Sequence, residues 1–516
     1  MIKSMKQKIN EWLKDVTGRK DYKRYGEKQR RKARIAGQIF TMAVGLAAGY
    51  YLIWCVMNAQ WQHWYMAAPF LVTECVFLLL FLLWANVLWN KRYHLPQGPH
   101  LEKKDFSVDI FIPVCGESME IIEQTVSAAL SIDYNNKRIY LLDDDEDDAV
   151  KELSKKNGVG YIRRPTHENR KAGNLNYALK HTRGDLILAI DADQVAKPEI
   201  IHGIIGYFTL PKIAFVQTKQ TFKLPNGDPW GNGDEVFYNV MQPGKDYDNA
   251  AISCGSGVMY RRSALESIGG FSTWNMVEDL HTSMRFHNNG WRSVYHQESY
   301  TEGTSPEDAI TQCKQRWQWA VDSLRMFLWD NPLFKKGLTF YQKLQYFHFG
   351  YHYLAFGFFL PVFFIMPIWA LFTHKFMLQE PFWHYLIARS PYLLLYLISN
   401  KITTDRLHSF KTFQAQAGLF AVYFNAFVAA LFSKKNIPQY TVTLKAAEKY
   451  SFLQRLYRCL PHVIIVIISV VAIIYGFMTI KTDFWFLVIN IVWVLWTIAV
   501  LWRFTILCLW PKLLSK

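Results

Sequence analysis

The chain has 516 residues and a net charge of +16, with 51% hydrophobic and 19% charged residues. The apolar content excludes a disordered chain, and the 28 Gly, 19 Pro and 7 Cys exclude collagen-like and disulfide-scaffold classes. Very apolar blocks flank a long polar block, which predicts a membrane protein carrying a soluble domain.

The first segment, residues 1–34, is basic, with 13 Lys and Arg against 4 Asp and Glu. Its apolar residues recur at helical spacing: Ile2, Met5, Ile9, Trp12, Leu13 and Val16. This pattern predicts an amphipathic cytoplasmic leader lying on anionic lipid. A solubilising tail is the alternative. Nucleic acid is not expected as a partner, because an apolar run follows the leader directly.

Six apolar segments are long enough to cross a bilayer. They are residues 35–57, 67–89, 347–372, 382–399, 463–480 and 484–507. The short loops inside each consecutive pair carry few Lys or Arg, whereas the leader and residues 90–346 and 400–460 are rich in them. The positive-inside rule therefore predicts that the soluble domain and both termini are cytoplasmic.

Polar residues interrupt some of these segments. Glu74 and Arg389 lie within predicted spans and are expected to face the helix bundle or a water-filled path rather than lipid. Residues 414–432 are apolar but contain Gln416, Tyr423 and Asn425. We interpret this stretch as a helix at the membrane interface.

The polar block alternates strand and helix patterns. Strands are predicted at 108–113, 138–142 and 185–190, and helices at 120–130 and 171–181. This alternation predicts an α/β domain with a mostly parallel sheet covered by helices on both faces. Ligands of such sheets bind at the carboxyl ends of the strands.

Carboxylates follow two of these strands. Asp143 and Asp144 end the second strand, where carboxylates can accept hydrogen bonds from a nucleobase or ribose. Asp191 and Asp193 follow the third strand, and such a pair can hold one hard divalent cation against a diphosphate. A helix N-cap is the alternative role for either pair.

A third acidic pair, Glu278 and Asp279, precedes a helical run at 280–287. A carboxylate there can act as general base for a hydroxyl nucleophile, although it can also be a helix cap.

Eight motifs occur in a fixed order along the chain. They are Pro113-Val-Cys-Gly-Glu117, Asp143-Asp144, Lys171-Ala-Gly-Asn-Leu-Asn176, Asp191-Ala-Asp193, Glu278-Asp279, Gly303-Thr-Ser-Pro-Glu307, Gln315-Arg-Trp-Gln-Trp319 and Asp330-Asn-Pro-Leu-Phe334. As a set, over about residues 35–510, they resemble the processive family 2 glycosyltransferases, and among these the cellulose synthase catalytic subunits. The resemblance implies an α/β GT-A glycosyltransferase domain inserted in an α-helical transmembrane bundle of about six spans plus interface helices.

The resemblance also implies roles for individual residues. Asp279 would be the catalytic base, Asp191 and Asp193 would hold Mg²⁺ or Mn²⁺, and Trp319 and Glu278 would bind the acceptor. The implied donor-binding residues are Asp143, Asp144, Lys171, Asn174, Asp191, Gln315, Arg316 and Gln318.

Two motifs depart from the family pattern. In QxxRW, Gln318 stands where the family has Arg, and an alternative register would use Arg316 and Trp317 as the RW pair. The gating loop FxVTxK has its counterpart at Tyr440, Val442, Thr443 and Lys445, with Tyr in place of Phe. A plain connecting loop is the alternative reading of the second motif.

These observations predict a leader (1–34), spans 1–2 (35–89), a catalytic domain (90–345), spans 3–4 (346–399), an interface helix with gating loop (400–460) and spans 5–6 (461–510). The implied function is a processive, inverting β-glycan synthase of the plasma membrane that transfers glucose from UDP-glucose to a growing cellulose-like polymer and translocates it.

Alternatives within the glycan synthases are a mixed β-1,3/1,4-glucan, an N-acetylhexosamine polymer or a hyaluronan-like product. A non-processive transferase acting on a lipid carrier and a transporter without chemistry are alternatives from other classes. The expected partners are the UDP-sugar, the polysaccharide, the bilayer and an accessory export or anchoring subunit. No direct cyclic di-GMP site is expected, because the chain ends soon after the sixth span.

Overall fold

The computed structural model describes residues 27–92, 105–224, 228, 231, 234–306, 308–379, 382–435, 438 and 450–510. The chain divides into two compact units. The first comprises Met1–Asn90, Tyr351–Phe427 and Lys449–Lys516, and the second comprises Lys91–Gly350 and Val428–Glu448.

Helices dominate both ends of the described chain. In chain order they are α1 Glu27–Met57, α2 Trp64–Leu88, α3 Met119–Leu130, α4 Asp148–Asn157, α5 Arg170–His181, α6 Ile200–Ile204, α7 Gln242–Tyr247, α8 Arg262–Ser267, α9 Asp279–Asn288, α10 Ala309–Trp329, α11 Phe340–Leu354, α12 Leu360–Thr373, α13 Phe382–Thr403, α14 Phe410–Gly418, α15 Phe420–Phe432, α16 Phe452–Thr479 and α17 Phe484–Leu509. Short 3₁₀ or π turns occur at Trp61–His63, Ile205–Thr209, Phe237–Met241, Pro332–Phe334 and Ala355–Phe359.

Five helical segments within the described ranges are long and apolar enough to cross a membrane. They are Arg31–Met57, Trp61–Leu88, Phe340–Thr373, Phe452–Thr479 and Phe484–Leu509. They coincide with five of the six predicted spans, and α1 begins eight residues earlier than predicted. The chain is therefore that of a membrane protein.

The fourth predicted span differs from the other five in composition. Helix α13 forms at the predicted place and has 22 residues, but it is not among the segments apolar enough to cross a membrane. His384, Arg389 and Asn400 lower its mean hydropathy. Helices α14 and α15, predicted as one interface helix, are bent by 44° at their junction and together do pass as one apolar segment.

A buried ion pair lies inside the helical unit. Glu74 on α2 is 4% exposed and Arg389 on α13 is 9% exposed, and Arg389 Nη1 donates to Glu74 Oε1. Tyr51 on α1 donates to the same carboxylate over 3.1 Å, and the guanidinium lies 5.1 Å from the Trp493 ring centre. Both charged side chains are buried between the helices of this unit, which confirms the expectation from sequence.

The second unit is built on one eight-stranded sheet. Its strands are β1 Val108–Val114, β2 Lys137–Asp143, β3 Gly160–Arg163, β4 Leu186–Ala189, β5 Gln194–Ala196, β6 Ile213–Lys223, β7 Val258–Arg261 and β8 Arg292–Thr304. Their order in the sheet is β3-β2-β1-β4-β7-β6-β8-β5. Strands β1 to β4 are mutually parallel, β7 is antiparallel to β4 and β6, and β5 is antiparallel to β8.

Apolar residues on alternate positions of β1 enter two different cores. Ile110 and Ile112 pack with Ile122 of α3 on one face of the sheet. Phe111 packs with Leu175 of α5 on the other face. Because successive strand residues point to opposite faces, both faces are covered by helices, as predicted. The three strands and two helices predicted from residues 108–190 are all confirmed within a few residues.

Candidate active site

The parallel strands bring the predicted carboxylates to one edge of the sheet. Val114 at the end of β1 pairs with Asp143 at the end of β2, and Phe111 of β1 pairs with Ala189 at the end of β4. The loops that follow these three strands therefore leave the sheet at the same edge. Asp191 lies in the third of these loops.

Lys171, on the first turn of α5, connects two of the acidic motifs. Its Nζ lies 2.6 Å from Asp191 Oδ1 and 3.2 Å from Glu278 Oε1. It also donates to the carbonyl of Gly255 over 3.0 Å. Burial lowers the pKa of Lys171, but the two carboxylates outweigh it and hold the pKa well above its ordinary value. The ammonium group is therefore a fixed positive charge between the two motifs.

The base candidate Asp279 belongs to the same cluster. Gly255 has φ +76°, and a Cβ placed there would lie 3.0 Å from Lys171 Nζ, 3.3 Å from Glu278 Oε1 and 3.6 Å from Asp279 Oδ2. The three side chains thus surround one glycine, whose missing Cβ leaves room for them. Asp279 Oδ1 also accepts the backbone N–H of Leu280 over 2.5 Å, at the start of α9.

Burial and a neighbouring charge tune this carboxyl group. Burial raises the pKa of Asp279, and the negative charge of Glu278 raises it further, to about 7. A base whose pKa lies near neutral pH is partly ionised at that pH and still has a high affinity for a proton, as general-base catalysis requires.

Asp191 and Asp193 lie beside a third carboxylate. Burial raises the pKa of Glu117, and the charges of Asp193 and Asp191 add to the rise. Burial likewise raises the pKa of Asp191, with Lys171 opposing it and Asp193 adding to it. Asp193 Oδ2 accepts from Thr304 Oγ1 over 3.2 Å at the end of β8. Three acidic groups therefore share one region of the strand edge.

The donor chemistry of this region fits Mg²⁺ or Mn²⁺. Both Asp191 and Asp193 are half-buried carboxylates, and hard divalent cations prefer oxygen ligands. Within the described ranges no three His, Cys, Asp or Glu side chains are grouped to hold a metal ion by themselves. The residues therefore suit an ion that takes its other ligands from phosphate oxygens and water.

Asp143 is held by protein donors at the end of β2. Its carboxylate is fully buried and accepts from Tyr161 Oη over 2.6 Å and from Arg163 Nη2 over 3.1 Å. Its other oxygen accepts the N–H of Asp145. These hydrogen bonds hold Asp143 at the start of the loop that follows β2.

Asp144 is also paired. It forms a bidentate ion pair with Arg164, over 2.6 and 2.8 Å. The same guanidinium donates to the carbonyls of Glu168 and Arg170. A Cβ at Gly173 would collide with Arg164 and the Glu168 carbonyl. The glycine of the Lys171-Ala-Gly-Asn motif is therefore required for this packing.

Asn174, from the same motif, has a role in packing α5. It is 1% exposed and donates its side-chain N–H to the carbonyl of Leu142 over 2.8 Å. This bond attaches α5 to the end of β2, beside Asp143. Asn174 therefore supports the end of β2, from which the predicted donor-binding loop begins.

The Gln315–Trp319 motif lies on α10. Arg316 is buried, forms an ion pair with Asp234 over 3.0 Å and places its guanidinium 4.7 Å from the Trp319 ring centre. One indole face is thus in contact with a cation, and Trp319 is half-buried. Gln318, at the family Arg position, is buried, whereas Gln315 is half-buried.

A loop before β7 was missed by the sequence analysis. Ser256 Oγ accepts the N–H of Asp191 over 2.9 Å, and Gly255 carries the contacts described above. Two buried glutamines of β6 hold the loop: Gln217 accepts from Cys254 N, and Gln220 donates to the Ser256 carbonyl. The closely spaced Gly255 and Gly257 between two strand patterns were the available signal.

The predicted gating-loop residues Tyr440, Val442, Thr443 and Lys445 lie outside the described residues, as does most of the leader. Their roles stay predictions.

Comparisons with known proteins agree with this geometry. A family model described as Glycosyltransferase like family 2 matches residues 107–321, and one described as Cellulose synthase matches residues 266–509. The chain is 34% identical over 341 residues to "Cellulose synthase 1" of Komagataeibacter xylinus, covering 62% of this chain and 22% of that protein.

Another relative is the "Cellulose synthase catalytic subunit [UDP-forming]" of Pseudomonas fluorescens (strain SBW25), 36% identical over 253 residues, which cover 46% of this chain and 34% of that protein. The chain thus spans between about a fifth and a third of the length of these two curated relatives.

A solved mannosyltransferase from Pyrobaculum calidifontis, in complex with GDP-Man and Mn²⁺, matches with a TM-score of 0.54 at 17% identity. The match covers 72% of this chain and 99% of that one, and it supports the GT-A-like fold. The two family models together span residues 107–509. With the sheet, its strand-end carboxylates and the apolar helices, these matches support a cellulose synthase-like glycosyltransferase of family 2.

Proposed function

We propose that the chain is a processive, inverting β-glycan synthase that transfers glucose from UDP-glucose to the growing end of a cellulose-like β-glucan. The observation that carries this proposal is the cluster around Gly255, where Lys171, Glu278 and Asp279 meet. One positive charge there lies between the Asp191 motif and the base candidate. The matched relatives named as cellulose synthases support glucose as the sugar.

In the proposed reaction Asp279 accepts the proton of the terminal acceptor hydroxyl. That oxygen forms a bond with the anomeric carbon of the donor, the bond from this carbon to the diphosphate oxygen breaks, and UDP leaves with the electron pair. Attack opposite to the leaving group inverts the anomeric configuration, so an α-linked donor gives a β-linkage. One base suffices, since no covalent enzyme intermediate forms.

Other side chains orient the substrates. Asp191 and Asp193 would hold Mg²⁺ or Mn²⁺, which supplies positive charge against the leaving diphosphate. Lys171 keeps Asp191 and Glu278 in fixed positions, and Trp319 offers an aromatic face on which an acceptor sugar can stack. The loop containing Asp143 and Asp144 would line the nucleoside side.

We place the protein in the plasma membrane, with the catalytic domain and both termini in the cytoplasm. The distribution of Lys and Arg around the apolar segments supports this orientation. The bilayer, the elongating polysaccharide and an accessory export or anchoring subunit are the proposed partners. Cysteine-accessibility labelling of substituted loop positions in intact cells and in inverted vesicles tests the orientation.

The function is tested with purified protein in vesicles, Mg²⁺ and a panel of UDP-sugars, by measuring UDP release and digesting any polymer with linkage-specific glucanases. A high-molecular-weight product from UDP-glucose that a β-1,4-specific enzyme degrades is expected. Degradation only by a mixed-linkage enzyme would move the product to β-1,3/1,4-glucan, and activity with UDP-N-acetylhexosamines would change the donor. UDP release only with an added lipid acceptor would instead identify a single-transfer enzyme.

A further inference from the structure

A buried carboxylate on α10 takes no part in the reaction proposed above. Asp322 is 3% exposed, and its two oxygens accept the backbone N–H groups of Met276 over 3.0 Å and Val277 over 2.7 Å. The next two residues of the chain are Glu278 and Asp279. The carboxylate thus holds the turn that delivers the base to the start of α9.

One turn further along α10, Arg325 holds the other end of the same segment. Its guanidinium donates to the carbonyl of Trp274 over 2.6 Å and lies 4.5 Å from the centre of that ring. It also contacts Asn275 Oδ1 at 3.4 Å. Two side chains of one helix therefore fix residues 274–277, which have no strand or helix hydrogen bonds of their own.

Charge links Asp322 to the base as well. Burial raises the pKa of Asp322 to about 7, and among the charges around it Arg325 opposes this rise while Glu278 adds to it. Asp322 in turn contributes to the raised pKa of Asp279, after burial and Glu278, while Lys171 of α5 acts in the opposite direction. Cys254 and Tyr260 also lie near Asp279, and burial raises the pKa of both groups.

We propose that Asp322 is a positioning residue for the base, holding the 276–279 turn so that the Asp279 carboxylate faces the acceptor hydroxyl. This inference rests on the proposed function, because the base acts only in a transfer reaction. The carboxylate is suited to the task, since it presents two acceptor oxygens to two adjacent N–H donors. The amide of an asparagine at this position offers only one acceptor oxygen. Its NH₂ group is a donor and cannot accept a hydrogen bond from the second backbone N–H.

The test compares Asp322→Asn with a matched control, Asp246→Asn. Asp246 is also buried and accepts a backbone N–H, that of Tyr295 over 2.8 Å. Hydrogen–deuterium exchange should show faster exchange at Met276 and Val277 in Asp322→Asn only.

The kcat of Asp322→Asn for UDP release should fall roughly 10- to 100-fold with little change in KM for UDP-glucose. In Asp322→Asn the acidic limb of the plot of kcat against pH should move to lower pH, because a negative charge near Asp279 is gone. Asp322→Glu, which keeps the charge, should retain the wild-type limb.

A merely structural role would lower the yield of folded protein while leaving the pH profile and kcat per folded molecule unchanged, and that result would overturn the inference. Unchanged exchange at Met276 and Val277 would overturn it too, whatever the activity. If Asp322→Asn does not fold, exchange is compared between Asp279→Asn and Asp279→Asn/Asp322→Asn, where fewer buried like charges repel one another. Wild-type protein without turnover of any donor would instead overturn the proposed function, while the exchange measurement still decides whether Asp322 holds the turn.

Discussion

Lys171 Nζ lies 2.6 Å from Oδ1 of Asp191, and this contact joins the first turn of α5 to the loop after β4. The same ammonium reaches Glu278, which immediately precedes the base candidate. Two motifs separated by 87 positions in the sequence are thereby held by one cation.

Replacing Lys171 by Met should impair turnover. Charge-assisted hydrogen bonds contribute roughly 1.5–3 kcal/mol each, so kcat is expected to fall about 10- to 100-fold as Asp191 and Glu278 lose their shared partner. Steady-state UDP release is the measurement. Lys180→Met, an exposed lysine on the same helix, is the control and should retain wild-type turnover.

Turnover should require the ionised form of Asp279. Because its pKa is about 7, the carboxyl group is mostly protonated below that pH, and kcat should fall about tenfold for each further pH unit. Asp279→Asn should lower kcat by at least about 10²-fold. A profile that stays flat down to pH 5 would contradict the assignment of the base.

The same carboxylate should reduce the stability of the folded chain. The ordinary pKa is 3.8, so the folded state binds this proton more tightly than the unfolded state does. Stability contributed by the group is therefore present at low pH and lost as the pH rises from about 4 to about 7. Asp279→Asn should raise the thermal midpoint at pH 7.5 while removing activity. A lower midpoint would contradict this destabilising effect of the ionised Asp279 carboxylate.

Removing divalent metal should abolish transfer. We expect EDTA to stop UDP release and added Mg²⁺ or Mn²⁺ to restore it. Asp193→Asn should require more metal for half-maximal activity, because it takes one charged oxygen ligand from the site. Glu199→Gln, an exposed carboxylate on the same unit, should leave the metal dependence unchanged. Full activity in EDTA would exclude this use of Asp191 and Asp193.

Adding a methyl group at Gly255 should damage the site. Its Cβ would crowd Lys171 Nζ at 3.0 Å, and its φ of +76° adds a backbone cost of about 1–2 kcal/mol. Gly290 has φ +77° with no neighbouring atom within 4 Å of its Cβ position, so Gly290→Ala carries the backbone cost alone. Thermal unfolding should show a larger loss of stability for Gly255→Ala than for Gly290→Ala, and only Gly255→Ala should lose turnover.

Breaking the Glu74–Arg389 pair should destabilise the helical unit. Arg389→Met leaves a buried carboxylate without its cation, which costs roughly 3–5 kcal/mol. The double variant Glu74→Leu/Arg389→Met removes both charges and should recover much of the loss. Thermal unfolding in detergent measures both. Equal midpoints for the wild type and Arg389→Met would mean that the pair contributes nothing to stability.

Much of the soluble domain followed from local patterns. The strand and helix patterns of residues 108–190 depend on alternation and helical spacing, which neighbouring residues determine, and all five are found in the structure. The apolar length of five spans is likewise a local property. The environment of helix α13 was harder to predict from local sequence. Arg389 makes this helix polar, and its partner Glu74, which neutralises the charge, lies 315 positions away in the sequence.

The site could be predicted only in part. The sequence shows which carboxylates follow strands, but not which of them are already paired. The bidentate bond of Asp144 to Arg164 and the bonds of Asp143 to Tyr161 depend on how β3 lies beside β2. The contribution of Asp322 depends on the packing of α10 against a segment 45 residues earlier, which no local pattern reveals.

That separation also sets an order of events during synthesis. Lys171 is made long before its partners at Gly255 and Glu278, and the turn bearing Asp279 gains its support only when Asp322 has left the ribosome. At elongation rates of about 5–20 residues per second, the interval from Lys171 to Asp322 is roughly 8–30 s. The support of the turn that bears Asp279 is therefore completed only after α10 has been synthesised.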